Sequence, residues 1–197
     1  MFRIAGGGAD KAYRNAESVR YNEFQSAGEI HDRRRFFPTH GVGMLKIGTP
    51  APDLSLPDAD MEIVDLSSFR GKNVVLFFYA KDDTPGCTLE ATDFTDHEDE
   101  FKRADCVILG VSRDDCISHA SFRDKHGITV GLLADSDCDA CRSYGVLQER
   151  EVDGVRRVCL VRSTFVIDRA GIIRQIYTAV TPKGHALEVL RFVRTLD

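Results

Sequence analysis

The chain has 197 residues, room for one domain built on one hydrophobic core. Hydrophobic residues make up 43% and charged residues 29%, an ordinary globular balance, and no apolar run approaches the length of a membrane span. The formal net charge of −5 argues against a nucleic-acid partner, because phosphate binding calls for a basic surface.

Residues 1 to about 43 carry Gly6-Gly7-Gly8, scattered arginines and the run Arg33-Arg34-Arg35, without a sustained period. Acids such as Glu17, Glu23 and Glu29 are mixed in, which argues against an organelle transit peptide. No continuous apolar stretch opens the chain as a secretory signal would. The segment reads as a disordered extension, and Met44 as a natural start for a domain over 44–197. An unexported chain is expected in the cytoplasm. Its six cysteines then read as reduced thiols rather than a disulfide framework.

From Met44 the pattern becomes regular. Asp53 to Leu56 and Ile63 to Leu66 read as short strands around the turn Pro57-Asp58-Ala59-Asp60. Val74 to Tyr79 is a continuous apolar run, the mark of a strand buried on both faces. A polar loop follows, then a helix over Thr88 to Arg103 with Leu89, Phe94 and Phe101 as its apolar positions. Val107 to Val111 is a second buried strand. Asp115 to His126 predicts a helix closed by Gly127, Leu132-Leu133 a short strand, and Ala140 to Tyr144 a short helix closed by Gly145. Thr164 to Ile167 and Ile172 to Tyr177 read as a hairpin about Asp168-Arg169-Ala170-Gly171, before a last helix over His185 to Leu196. Strands alternating with helices, then a late hairpin and helix, predict an α/β sandwich with a central mixed β-sheet flanked by helices.

The loop Lys81-Asp82-Asp83-Thr84-Pro85-Gly86-Cys87 joins a buried strand to a helix. Ligands gather at the carboxyl ends of strands in such sheets. Thr84 suits the N-cap and Pro85 the first helical position, where a missing N–H loses nothing. Cys87 then falls in the first helical turn, where unpaired N–H groups and the helix dipole favour an anion. A free cysteine titrating at about 8.5 is only about 3% thiolate at pH 7. A helix start with a nearby cation can bring such a thiol to roughly 3.5–7.5. The competing reading is a buried, inert cysteine.

The segment Phe77-Phe78-Tyr79-Ala80-Lys81-Asp82-Asp83-Thr84-Pro85-Gly86-Cys87-Thr88-Leu89-Glu90 resembles the active-site segment of peroxiredoxins. It is closest to the Q type, also called bacterioferritin comigratory proteins. Leu109 to Ser112, Leu132 to Asp135, Arg162 to Asp168 and Pro182 to His185 agree with the same family, so the resemblance covers about residues 44–197. It implies a thioredoxin-like fold and a thiol peroxidase acting on hydrogen peroxide or organic hydroperoxides. Cys87 matches the peroxidatic cysteine. Thr84 matches the threonine that contacts thiolate and peroxide, and Arg162 the arginine that pairs with the thiolate. Glu90, in the first helical turn, is a supporting residue that holds the loop. The resemblance also implies thioredoxin or another thiol donor as reductant, a monomer or loose dimer, and no metal, haem or flavin cofactor. A thiol–disulfide oxidoreductase, and a redox-sensing or holdase module that does not turn over, are the other readings of the same cysteine.

Three positions depart from the family. Ala80 stands where the family has proline, which bears on how the site is shielded. Thr92 and Arg123 occupy the two common positions of the resolving cysteine. Cys116 is the first alternative, because 116 and 123 lie near one helical face about two turns apart. Cys141 is the next, and a one-cysteine cycle with an external thiol stays open.

Cys138-Asp139-Ala140-Cys141 is a Cys-x-x-Cys, either a redox pair or half a zinc site, and no second half follows. Cys106 reads as core and Cys159 as packing near the Arg162 strand. His97, His119 and His126 read as helix-surface or C-terminal residues. Asp82 and Asp83 read as loop-shaping or solvated charges.

Overall fold

A computed structural model describes residues 45–152 and 154–196. The expectation for residues 1–43 lies outside the described residues. The elements in chain order are β1 (Ser55–Pro57), β2 (Ile63–Asp65), a 3-10 turn (Leu66–Phe69), β3 (Asn73–Phe78), α1 (Pro85–Asp96), α2 (Glu98–Arg103) and β4 (Cys106–Ser112). They continue with α3 (Cys116–His126), β5 (Gly131–Ala134), α4 (Asp139–Ser143), β6 (Leu147–Val152), β7 (Val155–Leu160), β8 (Ser163–Ile167), β9 (Ile173–Thr178) and α5 (His185–Val193).

The central sheet has the order β5-β4-β3-β8-β9. β3 pairs in parallel with β4, and β4 with β5, while β8 runs antiparallel to β3 and β9. The sheet is therefore mixed, as expected. β3 sits in the middle and every one of its residues is buried. Side chains alternate across a strand, so β3 feeds two cores. Val75, Phe77 and Tyr79 join the core covered by α1, α2, α3 and α5, with Phe94, Phe101, Phe122 and Val189. Val74, Leu76 and Phe78 join the opposite core, with Leu54, Leu66, Leu133, Cys141 and Tyr144.

Turn chemistry sets several boundaries. Asp115 caps α3 by accepting the Ser118 N–H at 2.8 Å, and Gly127 closes that helix at φ 64°. Gly110 has a packing role. It lies opposite Phe77 across the β3–β4 ladder, and a Cβ there would sit 2.5 Å from the Phe77 ring.

The structure corrects three expectations. The helix over 88–103 is two helices, starting at Pro85 and broken at His97, whose φ of −105° and ψ of 3° leave the α region. The last helix ends at Val193, and 194–196 close with tighter i→i+3 bonds, Thr195 N–H to Phe192 and Leu196 N–H to Val193. The hairpin β6–β7 has no counterpart among the expected strands. Its described side chains on β7 are mostly exposed, so neither face leaves an apolar alternation to read.

Candidate active site

Strand pairing places the arginine. Phe78 at the end of β3 faces Ser163 at the start of antiparallel β8. Arg162, one residue earlier, therefore stands over the loop that leaves β3. Thr84 is the N-cap of α1, extended at φ −87° and ψ 146°, and its carbonyl accepts the Thr88 N–H at 2.8 Å. Pro85 fills the first position, so Gly86 and Cys87 carry N–H groups without intrahelical acceptors. The Thr84 hydroxyl donates to the Lys81 carbonyl at 3.0 Å.

Cys87 is 1% exposed and lies among the aromatic residues of the helix-covered core. Arg162 donates from Nη2 to Cys87 Sγ at 3.2 Å. Its other arm, Nη1, donates to Glu90 Oε2. One planar fork thus spans two residues three apart on the same helical face. Gly86 lies directly against this fork, with a Cβ position 3.4 Å from Arg162 Nη2. Burial pushes the Glu90 carboxyl up to about 7, against the opposing pull of Arg162. Glu90 Oε1 is buried without a hydrogen-bond partner among the described residues.

A second network holds the loop from behind. Asp82 is buried and accepts from the Tyr79 hydroxyl at 2.8 Å and the Ser118 hydroxyl at 2.7 Å, and it meets His119 Nδ1 at 2.9 Å. The Asp82 N–H donates to Asp114 at 2.8 Å. Burial disfavours the charged form of Asp82, but the hydrogen bonds from His119, Ser118 and Tyr79 outweigh it and hold the carboxyl below its usual range. The neighbouring Asp83, at φ 56°, pairs with Lys125 at 2.5 Å and His126 at 2.7 Å. Both ends of α3 therefore grip the loop. His119 is 0% exposed, which corrects its reading as a surface residue. The roles of Ser118 and His119 escape sequence reasoning, because they lie 36 and 37 residues from Asp82 and no motif links them to it.

The structure brings Cys87, Arg162 and Glu90 together, with Thr84 at the cap one turn before. Cys116 opens α3 and is half-buried. It lines a separate cavity of about 510 Å³ with Asp53 to Pro57, Ser136 and Asp139. Cys141 belongs to the core on the opposite face of the sheet from Cys87. Cys106 is buried, as expected, and its thiol is pushed up to about 12 by burial. Cys159 is half-buried on β7. Among the described residues, no three His, Cys, Asp or Glu side chains gather as a metal site would require.

Residues 47–176 match the AhpC/TSA family. The chain is 38% identical over 153 residues to the peroxiredoxin Bcp of Bacillus subtilis, covering 78% of this chain and 98% of that one. The chain belongs to the AhpC/TSA family, as a peroxiredoxin. Two solved structures agree with this thioredoxin-like peroxiredoxin fold. The bacterioferritin comigratory protein of Xanthomonas campestris, described for its alkyl peroxide reduction activity, superposes with a TM-score of 0.71 at 35% identity, over 77% of this chain and 96% of that one. A cysteine-to-serine mutant of Xylella fastidiosa PrxQ gives a TM-score of 0.74 at 32% identity, over 78% and 98% of the two chains. This peroxiredoxin is accordingly a thiol peroxidase.

Proposed function

We propose that this peroxiredoxin reduces hydrogen peroxide and organic hydroperoxides through a sulfenic acid on Cys87. The observation that carries the reading is the 3.2 Å contact between Arg162 Nη2 and Cys87 Sγ at a helix start. The Cys87 thiolate attacks one peroxide oxygen. An S–O bond forms, the O–O bond breaks, and the electron pair leaves on the second oxygen, which takes up a proton. Arg162, and the Gly86 and Cys87 N–H groups left without intrahelical acceptors at the helix start, stabilise that growing charge. The Thr84 oxygen accepts the peroxide O–H. Glu90 steadies the guanidinium and acts through it.

A thiol must then attack the sulfenic sulfur and release water. Thioredoxin or a similar thiol donor supplies the reducing equivalents, directly or after an internal disulfide. Cys116 is the internal candidate. A disulfide needs Cα atoms within about 7 Å, so the start of α1 would unwind to let Cys87 meet it. Residues 44–197 are the working domain, acting in the cytoplasm as a monomer or loose dimer. No helix among the described residues is long and apolar enough to cross a membrane.

The test is steady-state consumption of hydrogen peroxide and an organic hydroperoxide with a thioredoxin system. Cys87→Ser should abolish turnover and keep the fold; turnover at a comparable rate would overturn the reading. One equivalent of peroxide followed by peptide mass mapping then decides the resolving step. A Cys87–Cys116 peptide pair supports Cys116. Sulfenic acid persisting on Cys87, with Cys116 free, assigns a one-cysteine cycle.

A further inference from the structure

The Cys138-Asp139-Ala140-Cys141 dithiol takes no part in the Cys87 site. Both thiols are free. Cys138 is the N-cap of α4, and its carbonyl accepts the Arg142 N–H at 2.9 Å, which closes the turn. Cys141 follows three residues later, and both side chains pack into the core of this sheet face. A disulfide requires Cα atoms within about 7 Å, a separation that the two ends of a four-residue turn meet. Cys138 already holds a left-handed φ of 60°, a conformation that strains any residue except glycine.

The two thiols differ in access. Cys138 is half-buried and Cys141 fully buried. Asp135, itself buried, organises the turn from beneath. Its carboxylate accepts the N–H groups of Ala140 at 3.1 Å and Cys141 at 2.7 Å, and its carbonyl accepts that of Cys138 at 2.9 Å. Burial raises the Cys141 thiol far above its usual range, and a hydrogen bond to the Asp135 carboxylate adds to this. Burial, then Asp135, raise Cys138 as well, and Arg113 and Arg142 only partly oppose them. Access therefore divides the roles: the half-buried Cys138 can meet an external disulfide, and the buried Cys141 can only close the pair from within.

We propose that Cys138 and Cys141 form a second, reversible dithiol–disulfide centre that exchanges with small-molecule disulfides, on the sheet face opposite Cys87. The Cys138 thiolate attacks an external disulfide R–S–S–R, forming a mixed disulfide and releasing RS⁻, which takes the proton Cys138 gave up. Cys141 then passes its proton to Asp135 and attacks Cys138 Sγ. The internal S–S bond forms, and a second RS⁻ leaves and takes that proton. Two protein thiols are oxidised by two electrons, and the external disulfide is reduced to two thiols. The central sheet lies between this pair and Cys87, so the exchange is independent of the peroxidase cycle.

The experiment uses the full chain carrying Cys87→Ser, equilibrated in reduced and oxidised glutathione over a range of ratios. Samples are quenched in acid, alkylated and mapped by peptide mass. A Cys138–Cys141 linked pair should titrate in a single two-electron step. Cys141→Ser should halt at a glutathione adduct on Cys138, and Cys138→Ser should leave Cys141 unmodified. Should Cys141→Ser fail to fold, the parent titration and Cys138→Ser decide the matter by themselves. Complete alkylation of both thiols in the most oxidising buffer would overturn the proposal. Cys138→Ser in the chain that keeps Cys87 should reduce peroxide within about twofold of the parent rate. A tenfold loss there would tie the dithiol to the Cys87 cycle and overturn its independence.

Discussion

Arg162 reaches Cys87 Sγ and Glu90 with different arms of one fork. A lysine in its place keeps the charge but presents a compact ammonium without the planar two-armed fork that reaches both partners here. Loss of one preorganised donor of this kind costs on the order of 3 kcal/mol, about a hundredfold in rate. Arg162→Lys should therefore lower the second-order rate with peroxide by about that factor. Stopped-flow measurements across pH check it, and an unchanged rate at high pH would remove Arg162 from the mechanism. Glu90 gives a stability prediction. Burial holds its folded-state pKa at about 7, above the ordinary 4.5. Below about 4.5 both folded and unfolded chains carry the proton, and no charge is buried at Glu90. As pH rises towards about 7 the unfolded chain has lost its proton while the folded chain keeps it, so stability falls, by about 3 kcal/mol in all. Glu90→Gln removes this dependence. Urea unfolding at about pH 4.5 and about pH 8, either side of that window, should show the variant gaining on the parent as pH rises. A constant difference between them would mean that Glu90 stays ionised in the fold.

Among the elements, the β3–β4 ladder sets the floor under α1. Phe77 lies against Gly110 and stacks on Phe94 of α1 with ring centroids 4.8 Å apart. A methyl at residue 110 would meet the Phe77 ring at 2.5 Å and drive it towards the helix that carries Cys87. Overpacking of this kind costs about 1–3 kcal/mol, so Gly110→Ala should lower the thermal midpoint by roughly 3–10 °C. A midpoint within a degree of the parent would show that the ring has room to move. The elements differ in how far the sequence reveals them. β3 and β4 are legible because strands buried on both faces need unbroken apolar runs, and α3 because Asp115 and Gly127 mark its ends. The β6–β7 hairpin is hidden because its exposed faces impose no alternation. Within the site, Thr84, Cys87 and Arg162 are legible through local motif blocks. The burial of His119 is not, since it depends on a partner in a loop far along the chain. The direct pairing of Arg162 with Glu90 likewise follows from strand register, which no local pattern encodes.

Over the whole molecule, one sheet separates two thiol environments. Cys87, on α1, sits in the helix-covered core of one face, and Cys141, on α4, in the core of the other. The chain before β1 belongs to this body from an early point. The Gly48 N–H donates to Ile173 at 2.7 Å, the Ala51 N–H to Gly171 at 2.9 Å, and the Ile173 N–H to Thr49 at 2.9 Å. This segment thus extends the edge of the sheet at β9. The family match begins at residue 47, close to the same point. A chain starting at Met44 keeps every one of these bonds and all of the residues proposed for catalysis. It should therefore fold with a thermal midpoint within about 2 °C of the full chain, equivalent to less than about 1 kcal/mol. Its peroxide rate should be the same within about twofold, a difference below about 0.5 kcal/mol in barrier. Thermal melts and peroxide consumption on the two chains, side by side, make the comparison. A midpoint lower by about 5 °C or more, roughly 1.5–2 kcal/mol, would mean that residues 1–43 pack on the domain. An unchanged midpoint with a tenfold slower rate would mean that they take part at the site.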